Sequence, residues 1–180
     1  KPGAEKKQVA GTAYEGTYIH KRGDYYYLFG SIGTCCEGVK STYTTVVGRS
    51  KNLWGPYVDQ SGGRMLDNKH EIVLHGNGLF KGTGHNSEIF QDKAGNDWIL
   101  YHAFEIAHPD RQRQVLLDRI HWENGWPTVK SNAPSSGRRL PNGRFCFVIK
   151  MIKKLKTGRG SVTILNNPGI SICKRLVLSI

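Results

Sequence analysis

The sequence lacks any apolar run of about 18 residues, the length that a membrane-spanning helix needs, so we predict no membrane span. Residues 1–16 contain no apolar segment typical of a signal peptide, and the chain does not open with Met. We therefore expect the chain to begin after a removed segment or inside a larger protein. The four cysteines, at positions 35, 36, 146 and 173, match neither a zinc site nor a disulfide framework.

Acidic residues are absent from residues 137–180, which hold 10 of the 26 Lys and Arg and none of the 14 Asp and Glu. Residues 1–136 carry a net charge of only +2, and they contain every Trp, Tyr and His of the chain. The formal charge of +12 therefore describes a basic tail. Such a tail could bind anionic lipid or nucleic acid, or be an unrelated appended segment or the product of a shifted reading frame, and we assign it no function.

Two cysteines are adjacent, at positions 35 and 36. Neighbouring cysteines can pair with each other only by closing a strained ring. We therefore predict two free, half-buried thiols.

The sequence repeats itself at an offset of about 70 positions. Residues 17–29 and 87–102 each contain a short apolar run, a polar turn with Gly, and a longer run of aromatic and aliphatic residues. Residues 46–50 align with 116–120 in the same way. Each unit alternates β-forming residues and turn residues, which is typical of short antiparallel strands.

Two such units, without a helix of useful length, predict an all-β fold. Units of about four short strands that repeat along the chain are typical of β-propeller blades. A β-sandwich is the competing fold, but it does not require a repeat. Two blades are too few to close a ring, so we expect residues 1–136 to be completed by further blades, with the tail 137–180 unassigned.

The repeat places Glu15 and His85 at equivalent positions of the two units, 70 residues apart. Since the first strand of each blade lines the central channel, both side chains are predicted to face one polar pit. The aromatic residues Tyr14 and Tyr18 are expected to desolvate Glu15 and to raise its pKa toward that of a general acid. The alternatives are a solvated loop glutamate and a hydrogen-bonded loop histidine. The other histidines share no metal-ligand spacing and are predicted to be surface or packing residues: His20, His70, His75, His102, His108 and His121.

Several motifs are specific enough to indicate a family. They include Tyr-Glu-Gly-Thr-Tyr at 14–18, Cys-Cys-Glu-Gly-Val-Lys-Ser-Thr-Tyr at 35–43, Gly-Thr-Gly-His-Asn at 82–86 and Gly-Trp-Pro at 125–127. In this order they resemble family 43 glycoside hydrolases, in the endo-1,5-α-L-arabinanase branch, over roughly residues 12–132. The resemblance implies the last two blades of a five-bladed β-propeller.

The resemblance also implies roles for the two channel residues. Glu15 would be the general acid that protonates the departing glycosidic oxygen, and His85 the axial ligand of a calcium ion that is otherwise largely hydrated. Family members invert the anomeric centre with two further aspartates, which would belong to blades before residue 1. No aspartate of this chain matches the base motif, and all are expected in turns or outer strands: Asp24, Asp59, Asp67, Asp92, Asp97, Asp110 and Asp118.

The resemblance therefore predicts the C-terminal part of an enzyme that hydrolyses arabinan or arabino-oligosaccharides, secreted or periplasmic, and inactive as this chain alone. An exo-acting arabinofuranosidase or xylosidase of the family and a non-catalytic sugar-binding module are the alternatives. The blade region is expected to bind no nucleic acid, so a nucleic-acid binder would depend on the tail alone. Exposed aromatic residues could stack on sugars, although most of the run 25–27 is expected to pack between blades.

Overall fold

The computed structural model describes residue 3, residues 5–135, and the pairs 163–164 and 176–177. The chain divides into two compact units, Lys1–Pro134 and Ser135–Ile180. The first unit is built from strands and three short 3-10 helices, and the described residues include no α-helix. None of the described helices is long and apolar enough to cross a membrane.

Two antiparallel sheets follow each other along the first unit. The first sheet has the simple order β1-β2-β3-β4. In the second sheet the order is β5-β7-β8-β9, and β6 also pairs with β7, so β5 and β6 share the position that β1 has in the first sheet. The strands are β1 Glu15–Arg22, β2 Tyr25–Ile32, β3 Thr44–Ser50, β4 Glu71–Leu74, β5 Phe80–Gly84, β6 Phe90–Gln91, β7 Asp97–Glu105, β8 Gln114–Glu123 and β9 Trp126–Val129.

The register of the two sheets confirms the repeat. Glu15 pairs with Ser31 at the start of the first sheet, and Gly84, next to His85, pairs with His102 at the corresponding place in the second. Glu15 and His85 therefore lie at the same end of the strands in their two sheets, and we call this end the Glu15 end. The predicted all-β fold with two similar units is confirmed.

A hydrophobic core joins the two sheets. Tyr27, Phe29 and Val47 come from the first sheet, while Ile99 and Tyr101 come from the second, and all five side chains are at most 2% exposed. Successive side chains of β2 point to opposite faces and enter different clusters: Tyr27 and Phe29 pack in this core, whereas Leu28 packs in a second, smaller cluster. Burial of Tyr27 agrees with the expectation that the tyrosine run packs between blades.

Polar contacts join the sheets at the end opposite Glu15. The Asp97 carboxylate in β7 accepts hydrogen bonds from Trp122 Nε1 at 2.6 Å and from Arg22 Nε, at the end of β1, at 3.3 Å. Asp97 is 7% exposed. The expectation that this aspartate lies in a turn or outer strand is wrong, because it sits in the second strand position of its sheet and bonds groups from both sheets.

Arg49 forms a second link at the same end. Its guanidinium lies 4.5 Å from the ring centre of Tyr25 and 4.3 Å from that of Trp126. It donates a hydrogen bond to the Gly125 carbonyl at 3.0 Å, and Tyr27 Oη donates to the same oxygen at 2.7 Å. Each contact between a cation and an aromatic face contributes about 0.5–2 kcal/mol, so Arg49 helps to hold Tyr25 of the first sheet to Trp126 of the second.

Raising the pH above 10 is expected to destabilise this unit. Burial raises the pKa of Tyr14, Tyr43 and Tyr57 to about 12. An unfolded tyrosine loses its proton near pH 10, so the unfolded state binds fewer protons than the folded state between pH 10 and 12, and the free energy of unfolding falls there. Urea unfolding at a series of pH values from 8 to 11.5 measures this fall. The substitution Tyr57→Phe should reduce its slope, and an unchanged free energy up to pH 11.5 would contradict the pKa assignments.

The sequence of the tail predicts strands at 145–149 and 161–165 and a short amphipathic turn at 151–156, and apart from Thr163–Ile164 these ranges lie outside the described residues. Thr163–Ile164 form the short strand β10, which pairs antiparallel with β11, Leu176–Val177. The boundary at residue 136 and the role of the tail stay predictions.

Candidate active site

Glu15 is the first residue of β1 and is exposed. The pairing of β1 with β2 is interrupted between Glu15 and Tyr18, and Gly16 has a φ of +53°, a conformation that glycine adopts without strain. This bulge separates Glu15 from the regular strand and frees its side chain from the sheet face. Glu15 Oε2 accepts a hydrogen bond from Tyr43 Oη at 3.0 Å. One carboxylate oxygen is therefore fixed, and Oε1 has no partner among the described residues.

His85 follows β5 directly and is also exposed. Its backbone N–H donates to Ser31 Oγ, in the strand that pairs with Glu15, at 2.8 Å. A Cβ on Gly16 would lie 3.0 Å from the His85 ring, so the imidazole rests on the backbone next to Glu15. The structure thus brings the two predicted residues together from successive sheets.

The His85 ring belongs to a stack of three aromatic rings, in which His102 lies between His85 and Tyr43. Tyr43 and His102 lie with ring centroids 5.7 Å apart at an interplanar angle of 15°, and His102 and His85 lie 6.3 Å apart at 29°. Tyr43 is 1% exposed, and a Cβ on Gly84 would overlap its ring. The stack links Tyr43, the hydrogen-bond partner of Glu15, to the His85 ring. Glu15 and His85 therefore share one support.

His102 is a packing residue, as predicted, but a buried one at the centre of the site. It is 9% exposed, and neither ring nitrogen has a hydrogen-bond partner among the described residues. Burial first, and then the charge of Arg113, lowers the pKa of His102 to about 4. The imidazole is therefore neutral at pH 7, which removes charge repulsion with His85 from the stack.

The expected aromatic wall around Glu15 is wrong. Tyr14 turns away to the 65–70 segment, where its Oη donates to the Lys69 carbonyl at 3.1 Å and lies 3.0 Å from His70 Nδ1. Tyr18 packs against the core that joins the two sheets, and Tyr14 packs against the smaller cluster around Leu28. The Glu15 side chain stays exposed.

The loop before Tyr43 differs from the sequence expectation. Cys35 and Cys36 form a disulfide with each other, so the prediction of two free thiols is wrong. Hydrogen bonds tie the ends of the loop together around them: Thr34 N donates to Thr42 Oγ1 at 3.0 Å, and Tyr43 N donates to the Thr34 carbonyl at 3.0 Å. The closed loop holds both sulfurs on one short turn and ends at the residue that bonds Glu15.

The calcium ion implied for His85 needs oxygen ligands, since Ca²⁺ takes six to eight of them. Within the described residues no group of three or more His, Cys, Asp or Glu could hold a metal. The Asn86 Oδ1 atom, next to His85 in sequence, is buried without a hydrogen-bond partner in the described part of the chain, and it is a ligand of the type that calcium prefers. The local donors fit only an ion that takes most of its ligands from water or from other residues.

Three residues of the site were not assigned by sequence reasoning: Ser31, Tyr43 and His102. Tyr43 ends the unusual Cys-Cys run, and His102 lies in Tyr-His-Ala at 101–103, a further motif of the family resemblance, so motifs marked both segments. Ser31 carries no such signal, because its position opposite Glu15 is set by strand register alone.

Comparison with known proteins covers the same region. Residues 1–127 match glycosyl hydrolases family 43. The extracellular exo-α-(1→5)-L-arabinofuranosidase of Cellvibrio japonicus is 40% identical over 126 residues, which are 69% of this chain and 35% of that protein. The extracellular endo-α-(1→5)-L-arabinanase 1 of Bacillus subtilis is 36% identical over 118 residues, 66% of this chain and 35% of that protein.

Solved structures give the same result. The Cellvibrio cellulosa α-L-arabinanase complexed with arabinohexaose matches with a TM-score of 0.61 at 40% identity, over 65% of this chain and 36% of that chain. The endo-arabinanase of Bacillus licheniformis matches with a TM-score of 0.65 at 32% identity, over 72% of this chain and 44% of that chain.

The comparisons settle the choice between the two candidate folds. The two sheets are the last two blades of a five-bladed β-propeller, so the competing sandwich is wrong. The chain spans about 35% of the length of these two curated relatives. By its match over residues 1–127, the chain belongs to glycosyl hydrolase family 43.

Proposed function

We propose that this chain is the C-terminal part of an arabinan endo-1,5-α-L-arabinosidase, in which Glu15 is the general acid. The observation that carries the proposal is the exposed Glu15 carboxylate, fixed by Tyr43 beside His85 at the inner edges of two successive blades. The relatives support it, since they are named arabinanases and arabinofuranosidases.

The proposed reaction begins with Glu15 in its protonated form. Because Oε2 accepts the Tyr43 hydrogen bond, the proton sits on Oε1, the atom available to a sugar. This proton passes to the glycosidic oxygen as the bond from that oxygen to the anomeric carbon breaks. A water molecule adds to the opposite face of the anomeric carbon and gives its proton to a second carboxylate, which inverts the centre. Tyr43 then stabilises the Glu15 carboxylate that remains.

The second carboxylate has no candidate among the described residues. Asp97 and Asp118 are buried, and each accepts a hydrogen bond from an aromatic side chain within the core. Inverting glycosidases hold their acid and base about 6.5–9.5 Å apart across the sugar. We therefore propose that the base and the aspartate that tunes Glu15 belong to the other blades, which must complete the ring.

His85, with the buried Asn86 Oδ1 nearby in the chain, would hold the calcium ion by resemblance to the family. Such an ion would supply positive charge, which would favour the ionised form that the proposed base needs. His85 itself orients the site, since its N–H bond to Ser31 and its contact with Gly16 fix the start of β1.

The names of the relatives differ in the point at which they cleave the polymer. One relative is named exo-acting and another endo-acting, at similar identity to this chain. We propose internal cleavage of 1,5-linked arabinofuranosyl chains, with an exo-acting enzyme as the alternative. The word extracellular in both names supports a secreted or periplasmic location.

A polypeptide of these 180 residues is expected to release no sugar from linear arabinan by itself. It contains an acid but no base, so the water that must attack is not activated. The same residues 1–135 fused to the remaining blades of the Cellvibrio japonicus relative should release reducing sugar. Chromatography of the early products then distinguishes oligosaccharides, expected for internal cleavage, from free arabinose.

Three results would overturn parts of this proposal. Turnover by the 180-residue polypeptide would show that the base is already present. An inactive fusion that binds arabino-oligosaccharides would support a sugar-binding module instead. Free arabinose as the first product would replace the endo assignment by the exo one.

A further inference from the structure

A cavity of about 270 Å³ lies at the Glu15 end of the sheets, outside the pair formed by Glu15 and His85. Its walls come from the loop before β3, the segment after β4, and β5, and they include Lys40, Ser41, His75 and Lys81. Tyr43 lines the cavity and also donates the hydrogen bond to Glu15. Tyr43 therefore belongs to both the wall of the cavity and the candidate active site.

The charged lining of this cavity has one sign. Lys40 and Lys81 line it, no Asp or Glu does, and neither lysine takes part in an ion pair among the described residues. Two ammonium groups in one concave surface repel each other and attract an anion more strongly than they would on an open face. The charge of the lining therefore fits an oxyanion.

His75 adds a hydrogen-bonding group that suits a sugar. Its Nδ1 lies 2.7 Å from the Gly76 carbonyl oxygen, which can only accept, so Nδ1 carries the proton in this contact. The second ring nitrogen remains available to a ligand and accepts a hydroxyl hydrogen when the ring is neutral. Lysines for a carboxylate and an imidazole for a hydroxyl are a combination that fits a sugar acid.

The backbone keeps the cavity open and small. Gly82 has a φ of +65°, and a Cβ there would lie 2.7 Å from the Ser41 Cβ, so the wall at this point is backbone packed against a buried serine. Binding sites for drug-sized molecules occupy about 300–1,000 Å³. A cavity of about 270 Å³ therefore suits one monosaccharide unit.

We propose that Lys40, Lys81 and His75 form a subsite for the carboxylate of a uronic acid. The bound uronic acid would be part of the polysaccharide that the enzyme acts on, and this part of the proposal rests on the proposed function. Binding of the carboxylate is independent of that function, because it depends only on the lining of the cavity. Through Tyr43, a uronic acid bound here contacts the residue that holds Glu15, and this subsite would favour arabinan attached to acidic sugars.

Nuclear magnetic resonance titration of the full chain with galacturonic acid tests the subsite. We expect saturable shifts of the amide signals of Lys40, Ser41 and Lys81, and no saturable shift with galactose, which lacks the carboxylate. The double substitution Lys40→Gln and Lys81→Gln should weaken binding at least tenfold. The matched double substitution Lys93→Gln and Lys130→Gln makes the same change in charge on exposed residues and should leave binding unchanged.

Each other outcome counts against the subsite. Absence of saturable shifts, equal binding of galactose, or equal effects of the two double substitutions would overturn it. Inorganic phosphate that binds these residues more tightly than galacturonic acid would overturn the acidic-sugar assignment. Galacturonic acid binding with an inactive fusion enzyme would overturn the proposed hydrolase alone, whereas active fusion enzyme without binding would overturn the subsite alone.

Discussion

Replacing Glu15 by Gln should lower the rate of arabinan hydrolysis by about 10²–10⁴-fold, the usual contribution of a general acid. Glutamine keeps the size of the side chain and can accept the Tyr43 hydrogen bond, but it has no proton to give to the departing oxygen. The rate is measured on the fusion of residues 1–135 with the remaining blades of the Cellvibrio japonicus relative, because the proposed base lies outside this chain.

The leaving group provides the control for this substitution. In an aryl arabinofuranoside with an acidic phenol, the phenolate leaves without protonation. Glu15→Gln should therefore lower the rate of hydrolysis of this substrate far less than that of arabinan. Tyr43→Phe keeps the stack on His102 and loses only the bond to Oε2, so a smaller loss is expected with both substrates. Equal losses on arabinan and the aryl substrate would show that Glu15 is not the acid.

The pairing of Glu15 with His85 could be predicted because it depends on a repeat. The offset of 70 residues aligns two equivalent strand starts, and equivalent strands of adjacent sheets place equivalent residues side by side. Neither long-range packing nor a partner residue enters this inference. Periodicity and motif spacing were therefore sufficient for the inner strands.

The residues behind that pair could not be found in the same way. Tyr43 and His102 meet because the loop before β3 closes over β7, and this depends on how two sheets pack rather than on either local pattern. Where two residues are not related by the repeat, their contact across the sheets depends on packing, and the residue spacing in a single sequence does not predict it.

Asp97 is the clearest failure of local reasoning. It follows the turn at residues 93–96, and aspartate near glycine and asparagine is typical of turns. Its actual partners, Trp122 and Arg22, lie 25 and 75 residues away in sequence. Burial of a carboxylate is tolerated there because three donors from separate strands, these two and Gln91 Nε2 in β6, supply the hydrogen bonds that water would otherwise give.

Replacing Asp97 by Ala should therefore lower the free energy of unfolding by about 2–3 kcal/mol, since it leaves the Trp122 indole N–H without its acceptor and removes the packing link to Arg22. Arg22 is 47% exposed, so the ion pair itself contributes little of this change. The two blades share one core, and loss of the link should lower the stability of both. Urea unfolding followed by tryptophan fluorescence measures the change.

Two further substitutions separate the acceptor from the charge. Asp97→Asn keeps an oxygen for the Trp122 N–H and removes the charge, so we expect a loss of about 1 kcal/mol. Arg22→Ala should cost less than 1 kcal/mol, because the guanidinium that it removes is already half exposed to water and Asp97 keeps its hydrogen bonds from Trp122 and Gln91. Equal losses for Asp97→Ala and Arg22→Ala would assign the stability to the ion pair. The predicted order, Asp97→Ala above Asp97→Asn above Arg22→Ala, instead assigns it to the partly buried indole hydrogen bond between β7 and β8.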